Sequence, residues 1–148
     1  MKIETTPQLD FHNVLIRPKR TTIYSRSQVD LEREFKFLYA KYNWKGVPII
    51  AANMDTTGTF EVYDTLSQHK MITCLHKHYN LKDYQKRFSE APLDPEYFMI
   101  STGIDESAMS YLHDIVALTG TKWICVDVAN GYMQQVVSYC NKLRICFP

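Results

Sequence analysis

A parallel α/β fold is predicted for this 148-residue chain by three observations. The sequence holds four short, continuous apolar runs. A helix-like stretch follows each of them. The run ends recur regularly, with steps of 24, 25 and 26 residues from Asn53 to Lys77, Thr102 and Val128, which is the period of a βα unit. Continuous rather than alternating apolar runs indicate strands covered on both faces, as parallel sheets are. A barrel and an open doubly wound sheet both satisfy this pattern.

The elements follow in order. Residues 1–45 form a polar, basic extension, with Arg17-Pro-Lys-Arg20 and Ser25-Arg-Ser27, and the alternation of Phe35, Phe37 and Tyr39 predicts one or two edge strands in it. Residues 46–148 hold the four βα units. The first strand is read over Val47–Ala52, ending in Asn53-Met54-Asp55, before a helix carrying Phe60, Val62, Tyr63 and Leu66. The second is Met71–Leu75, ending in His76-Lys77-His78, before a helix over 81–88. The third is Tyr97–Ile100, ending in Ser101-Thr102-Gly103, before a helix through Leu118 for which Asp105 is the expected cap. The fourth is Trp123–Val126, ending in Asp127-Val128-Ala129-Asn130-Gly131, before a helix containing Val136, Val137, Tyr139 and Leu143.

Composition narrows the function classes. Seventeen basic and sixteen acidic side chains leave a formal charge of +1, so no global field draws the chain to nucleic acid or to a membrane surface. No apolar run approaches the roughly 20 residues of a membrane span, and Met1–Phe11 lacks a hydrophobic signal segment; a cytoplasmic protein is expected. Cys74, Cys125, Cys140 and Cys146 show no CxxC spacing, and the first two lie inside apolar runs, which reads as reduced core thiols. Neither GxGxxG nor GxxxxGK[ST] occurs, so no nucleotide fingerprint is present.

In either architecture, ligands bind where strands end and loops lead into helices. The reactive side chains collect there. Lys77 and Asp127, delivered by the second and fourth strands, place a cationic proton donor beside a carboxylate and are the candidates for acid/base work. His76-Lys77-His78 raises zinc, but no second ligand cluster accompanies it, so no metal is expected. Asp55 reads as a helix-start residue and Met54 as a loop anchor, while Arg17–Arg20 reads as a solvated face or a subunit contact.

Five segments, in this order and spacing, carry a resemblance: LDFHNVLIRPKRTTIYSRSQVDL at 9–31, GVPIIAANMDTTGTF at 46–60, HKHY at 76–79, STG at 101–103 and ICVDVANGY at 124–132. Together they resemble the IMP dehydrogenase/GMP reductase family, and AANMDT with HKHY points to its GMP-reducing branch. The resemblance implies a (β/α)8 TIM barrel, of which residues 46–148 would be units 1 to 4. It also implies NADPH-dependent reductive deamination of GMP to IMP. By position it assigns Lys77 and Asp127 catalytic roles. It assigns Ser25, Arg26, Lys77, Asp127, Val128 and Ala129 to NADPH, with Ser25 and Arg26 reaching the cofactor of a neighbouring subunit. Met54 and Asn130 are implied near the nucleotide. The guanidinium of Arg26 suits the 2′-phosphate of NADPH, to which it can donate two hydrogen bonds.

The same resemblance puts the family's nucleophilic cysteine beyond this chain. The expectation is therefore an N-terminal half-barrel that is inactive in isolation and assembles as a homo-oligomer or with a complementary half. Two rivals are a noncatalytic assembly partner of a full-length reductase and an autonomous open nucleotide-binding sheet.

Overall fold

The computed structural model describes residues 3–40 and 42–148. The chain divides into two compact units, one up to Asp30 and one from Leu31 onward.

The first unit is extended chain punctuated by two single 3₁₀ turns, Phe11–Asn13 and Arg26–Gln28. Each turn is closed by its own side chains. Asp10 accepts from the Phe11 N–H at 2.7 Å, and Asn13 accepts from the Asp10 N–H at 3.0 Å. Ser25 Oγ accepts from the Ser27 N–H, while Gln28 Oε1 accepts from the Tyr24 and Ser25 N–H groups. No residue described in this unit is buried, and Phe11, Leu15 and Ile16 lie open.

The second unit begins with an antiparallel hairpin of β1 (Arg33–Lys36) and β2 (Asn43–Gly46), in which Phe35 faces Trp44. This is the edge structure expected from the aromatic alternation. Its rings meet Trp123: Phe37 lies 5.2 Å from it, Tyr42 5.8 Å and Trp44 6.3 Å, all edge to face. The buried Trp44 donates its indole N–H to Glu96 O at 2.9 Å.

Four parallel strands follow: β3 (Ile50–Ala51), β4 (Ile72–Leu75), β5 (Phe98–Thr102) and β6 (Ile124–Val126). Their order in the sheet is their order in the chain. The connections are α1 (Phe60–Leu66), α2 (Leu81–Glu90) and α3 (Ser107–Thr119), and α4 (Gln134–Cys146) follows β6. Leu75, Phe98 and Ile100 from the sheet pack with Tyr63, Tyr84, Leu112, Ile115, Tyr139 and Leu143 from the four helices. Side chains alternate across a strand, so Cys74, Ser101 and Cys125 belong to the opposite face. The four-unit βα rhythm and the parallel pairing agree with the expectation from periodicity.

Three boundaries differ from it. The strand expected over Val47–Ala52 shrinks to two residues, because Pro48 has no N–H to give and the Val47 N–H turns aside to Lys70 O. β5 runs on through Ser101 and Thr102, which pair with Cys125 and Val126 and are buried, so Gly103 rather than Ser101 marks the strand end. The N-cap of α3 is Glu106, without a side-chain hydrogen bond, in place of Asp105. Among the described residues no helix is long and apolar enough to cross a membrane.

Candidate functional site

Gly58 is where the site begins. A Cβ at this position would lie 2.3 Å from Cys74 O, so only glycine lets the loop after β3 press against the end of β4. Met54 O accepts from the N–H groups of Thr57 and Gly58, folding that loop back, and Gly58 O then accepts from the His76 N–H at 2.9 Å. Thr59, not Asp55, caps α1, through its Oγ1 on the Val62 N–H. Asp55 is thereby left exposed at the sheet edge.

The loop after β4 is held by a column of rings. Tyr79 stacks between His76 and Phe60, with 4.0 Å between centroids on each side. Its hydroxyl accepts from the Phe60 N–H, and its backbone carbonyl accepts from the Tyr111 hydroxyl. Burial drives the Tyr111 phenol up to about 12 and raises that of Tyr79, so both remain neutral at physiological pH, Tyr111 as a donor and Tyr79 as an acceptor. With His76 and Tyr79 tied down, Lys77 and His78 point outward. Lys77 Nζ lies 4.0 Å from Asp127 Oδ2, and His78 Nε2 lies 3.3 Å from Asp55 Oδ1.

Asp127 is set by the β5–β6 ladder, its N–H donating to Thr102 O at 2.8 Å. The Lys77 and Asp127 side chains are 51% and 44% exposed, so the pair is accessible and adds little to stability, about 0–1 kcal/mol. At 4.0 Å the two groups do not share a good hydrogen bond. Each keeps donor or acceptor capacity for a ligand group offering both functions, such as an amide edge.

Of the other candidate residues, Val128 is half-buried, and Ala129 and Asn130 are exposed in the same loop, where Asn130 Oδ1 accepts from the Tyr132 N–H at 3.0 Å. Met54 is exposed in the loop after β3. Ser25 and Arg26 belong to the first unit, both exposed, with Ser25 Oγ 2.8 Å from Ser27 Oγ. Two groupings escaped sequence reasoning. One is the His78–Asp55 pair, whose members lie on loops 23 residues apart in the chain. The other is the cluster of Cys74, Ser101 and Cys125, which only strand register reveals. Among the described residues, no three His, Cys, Asp or Glu side chains group as metal ligands.

The GMP reductase of Vibrio vulnificus strain YJ016 is 44% identical to this sequence over 150 aligned positions, spanning all of the chain and 43% of the reductase. This chain is a relative of GMP reductase. The GMP reductase of Yersinia enterocolitica is 45% identical over 152 positions, again covering all of the chain and 43% of that protein. The chain thus spans less than half the length of the GMP reductases it matches. Among solved structures, the IMP dehydrogenase of Legionella pneumophila superposes with a TM-score of 0.70, covering 93% of this chain and 40% of that one. At 21% identity that likeness speaks to the fold alone. No protein-family model matches the sequence.

Proposed function

We propose that this chain is the N-terminal portion of a GMP reductase-like protein and supplies the NADPH side of the conversion of GMP to IMP and ammonia. In this reading residues 1–45 are an extension, and residues 46–148 are the first four βα units of a (β/α)8 barrel. The order of β3 to β6 supports the barrel, since the strand order of a doubly wound sheet reverses at a switch point and this one does not.

The observation that carries the functional reading is the Lys77–Asp127 pair, 4.0 Å apart and open to solvent at the C-terminal ends of β4 and β6. These groups fit a dinucleotide on chemical grounds. Lys77 donates to an acceptor and holds a mobile proton at Nζ, while Asp127 accepts at Oδ2 from an amide or amino group. Val128 and Ala129 line the same loop with small apolar surface. Met54 and Asn130 are assigned to the nucleotide, and Ser25 with Arg26 to the cofactor phosphates of a neighbouring copy, where a guanidinium binds a 2′-phosphate bidentately. NADPH, when bound, supplies the hydride.

The chain taken alone is proposed not to turn over GMP. Covalent attack on a purine carbon needs a thiolate at the strand-end face, and its four cysteines lie within β4 and β6 or on α4. A second reading, a noncatalytic assembly partner or split-barrel half, draws support from the β3 edge of the sheet, where Ile49, Ile50 and Met54 are exposed. Unpaired edges of this kind favour association.

The test is NADPH titration of the purified chain by cofactor fluorescence, together with NADPH oxidation in the presence of GMP. Saturable binding weakened in both Lys77→Ala and Asp127→Ala, without turnover, is expected. A folded chain that ignores NADPH, or binds it equally well in both variants, overturns the assignment. GMP-dependent turnover by the chain alone overturns the claim of inactivity.

A further inference from the structure

The loop that carries Lys77 is tied on both sides of that residue. Upstream, the His76 N–H donates to Gly58 O at 2.9 Å. Downstream, the Asn80 side chain accepts from the Lys82 and Asp83 N–H groups, and Asp83 Oδ2 accepts from the Asn80 N–H at 2.7 Å, so the start of α2 is closed on itself. Between these ties stands Tyr79, its ring clasped by His76 and Phe60. Its carbonyl precedes α2 and accepts from the Tyr111 hydroxyl of α3.

α3 is the connection from β5 to β6, the strand that delivers Asp127. Tyr111 therefore joins the loop bearing the lysine to the βα unit that leads to the aspartate. β4 and β6 flank β5, so their backbones stand about 9–10 Å apart at the usual strand spacing. The two side chains must cross that gap to bring Nζ within 4.0 Å of Oδ2. A turn of the backbone at Lys77 is amplified along a side chain of that reach.

We propose that Tyr111 is a positioning residue for the cofactor site: its hydroxyl, by holding the Tyr79 carbonyl, fixes the backbone from which Lys77 reaches Asp127. The inference rests on the reading of Lys77 as an NADPH contact, and Tyr111 acts through that lysine. Packing alone does not call for a tyrosine here. A phenylalanine ring fills the same half-buried space, and a phenolic hydroxyl taken from water needs an acceptor. The acceptor it takes belongs to the lysine loop and not to its own helix.

The experiment compares the full chain with Tyr111→Phe, Lys77→Ala, the double variant and Leu112→Ala, by NADPH fluorescence titration and by amide hydrogen exchange of the free chains. Tyr111→Phe keeps the ring and removes the donor, and should raise the NADPH Kd by about three- to tenfold, the worth of a neutral hydrogen bond. In the Lys77→Ala background the same substitution should change Kd by less than about twofold, because its effect passes through the lysine. Leu112→Ala, at the adjacent core position, should cost stability and leave Kd near that of the parent, which separates positioning from general loosening. Without ligand, the peptide spanning 76–80 should exchange faster in Tyr111→Phe while β5 is unchanged.

The inference is overturned if Tyr111→Phe binds NADPH as the parent does while Lys77→Ala does not, or if its effect persists undiminished in the double variant. It is also overturned if Leu112→Ala weakens binding equally, if exchange over 76–80 is unmoved, or if Tyr111→Phe fails to fold, since the hydroxyl would then hold the fold and not the loop. A parent chain that ignores NADPH, or a Lys77→Ala chain that binds it as the parent does, removes the reading of the site itself and this inference with it.

Discussion

Lys77 and Asp127 leave the sheet from β4 and β6, strands separated by β5, and still bring Nζ and Oδ2 to 4.0 Å. The approach depends on two backbone anchors, His76 N–H on Gly58 O and Asp127 N–H on Thr102 O. Neither anchor involves the charged groups themselves. The pair can therefore be altered without disturbing what holds it.

Lys77→Ala and Asp127→Ala should each weaken NADPH binding by about 10- to 100-fold, the worth of one hydrogen bond to a charged group. Both should leave folding within about 1 kcal/mol of the parent, because the pair is exposed. Fluorescence titration and urea unfolding measured on the same samples separate the two effects.

Gly58→Ala should do the reverse. Its Cβ would meet backbone, Cys74 O at 2.3 Å, with no flexible side chain to give way. A loss of about 1–3 kcal/mol is expected from overpacking of this kind. Urea midpoints report the cost, and an unchanged midpoint would mean that the loop does not pack on β4 as described.

Leu112→Ala removes a side chain with no solvent exposure from the sheet–helix core. Burial of this completeness predicts a loss of about 2–5 kcal/mol. Because the proposed NADPH contacts lie at the strand ends, cofactor affinity in the surviving folded fraction should stay near that of the parent.

Alkaline stability follows from the buried tyrosines. Desolvation raises Tyr63, Tyr79, Tyr84 and Tyr111 in the folded chain, with Tyr111 reaching about 12. Unfolded phenols release protons near 10, so the unfolded state ionises first. The contribution of each group is whole below pH 10 and is lost as pH rises through its folded value. Unfolding free energy should fall between pH 10 and 12, and Tyr111→Phe should reduce that slope at the cost of the hydrogen bond to Tyr79 O.

Much of this architecture was legible because apolar runs and helical spacing are local properties. Tyr84, Leu112, Ile115 and Leu143 fall on the buried sides of their helices as their periodicity requires. Strand limits were less legible. Val47–Ala52 is apolar throughout, yet Pro48 limits the ladder to Ile50 and Ala51, while Ser101 and Thr102, polar by composition, are drawn into β5 by pairing with Cys125 and Val126.

By itself, the sequence determined the βα rhythm, the parallel sheet and the presence of a lysine and an aspartate at strand ends, since each follows from residue type and spacing along one segment. Its likeness to GMP reductase rests on the same kind of information. Only the tertiary structure decided which of those residues meet. Lys77 with Asp127, His78 with Asp55, and Cys74 with Ser101 are set by strand order, register and the direction in which each loop leaves the sheet. Those are relations between segments distant in the chain, and no local pattern encodes the distance between two side chains on different strands.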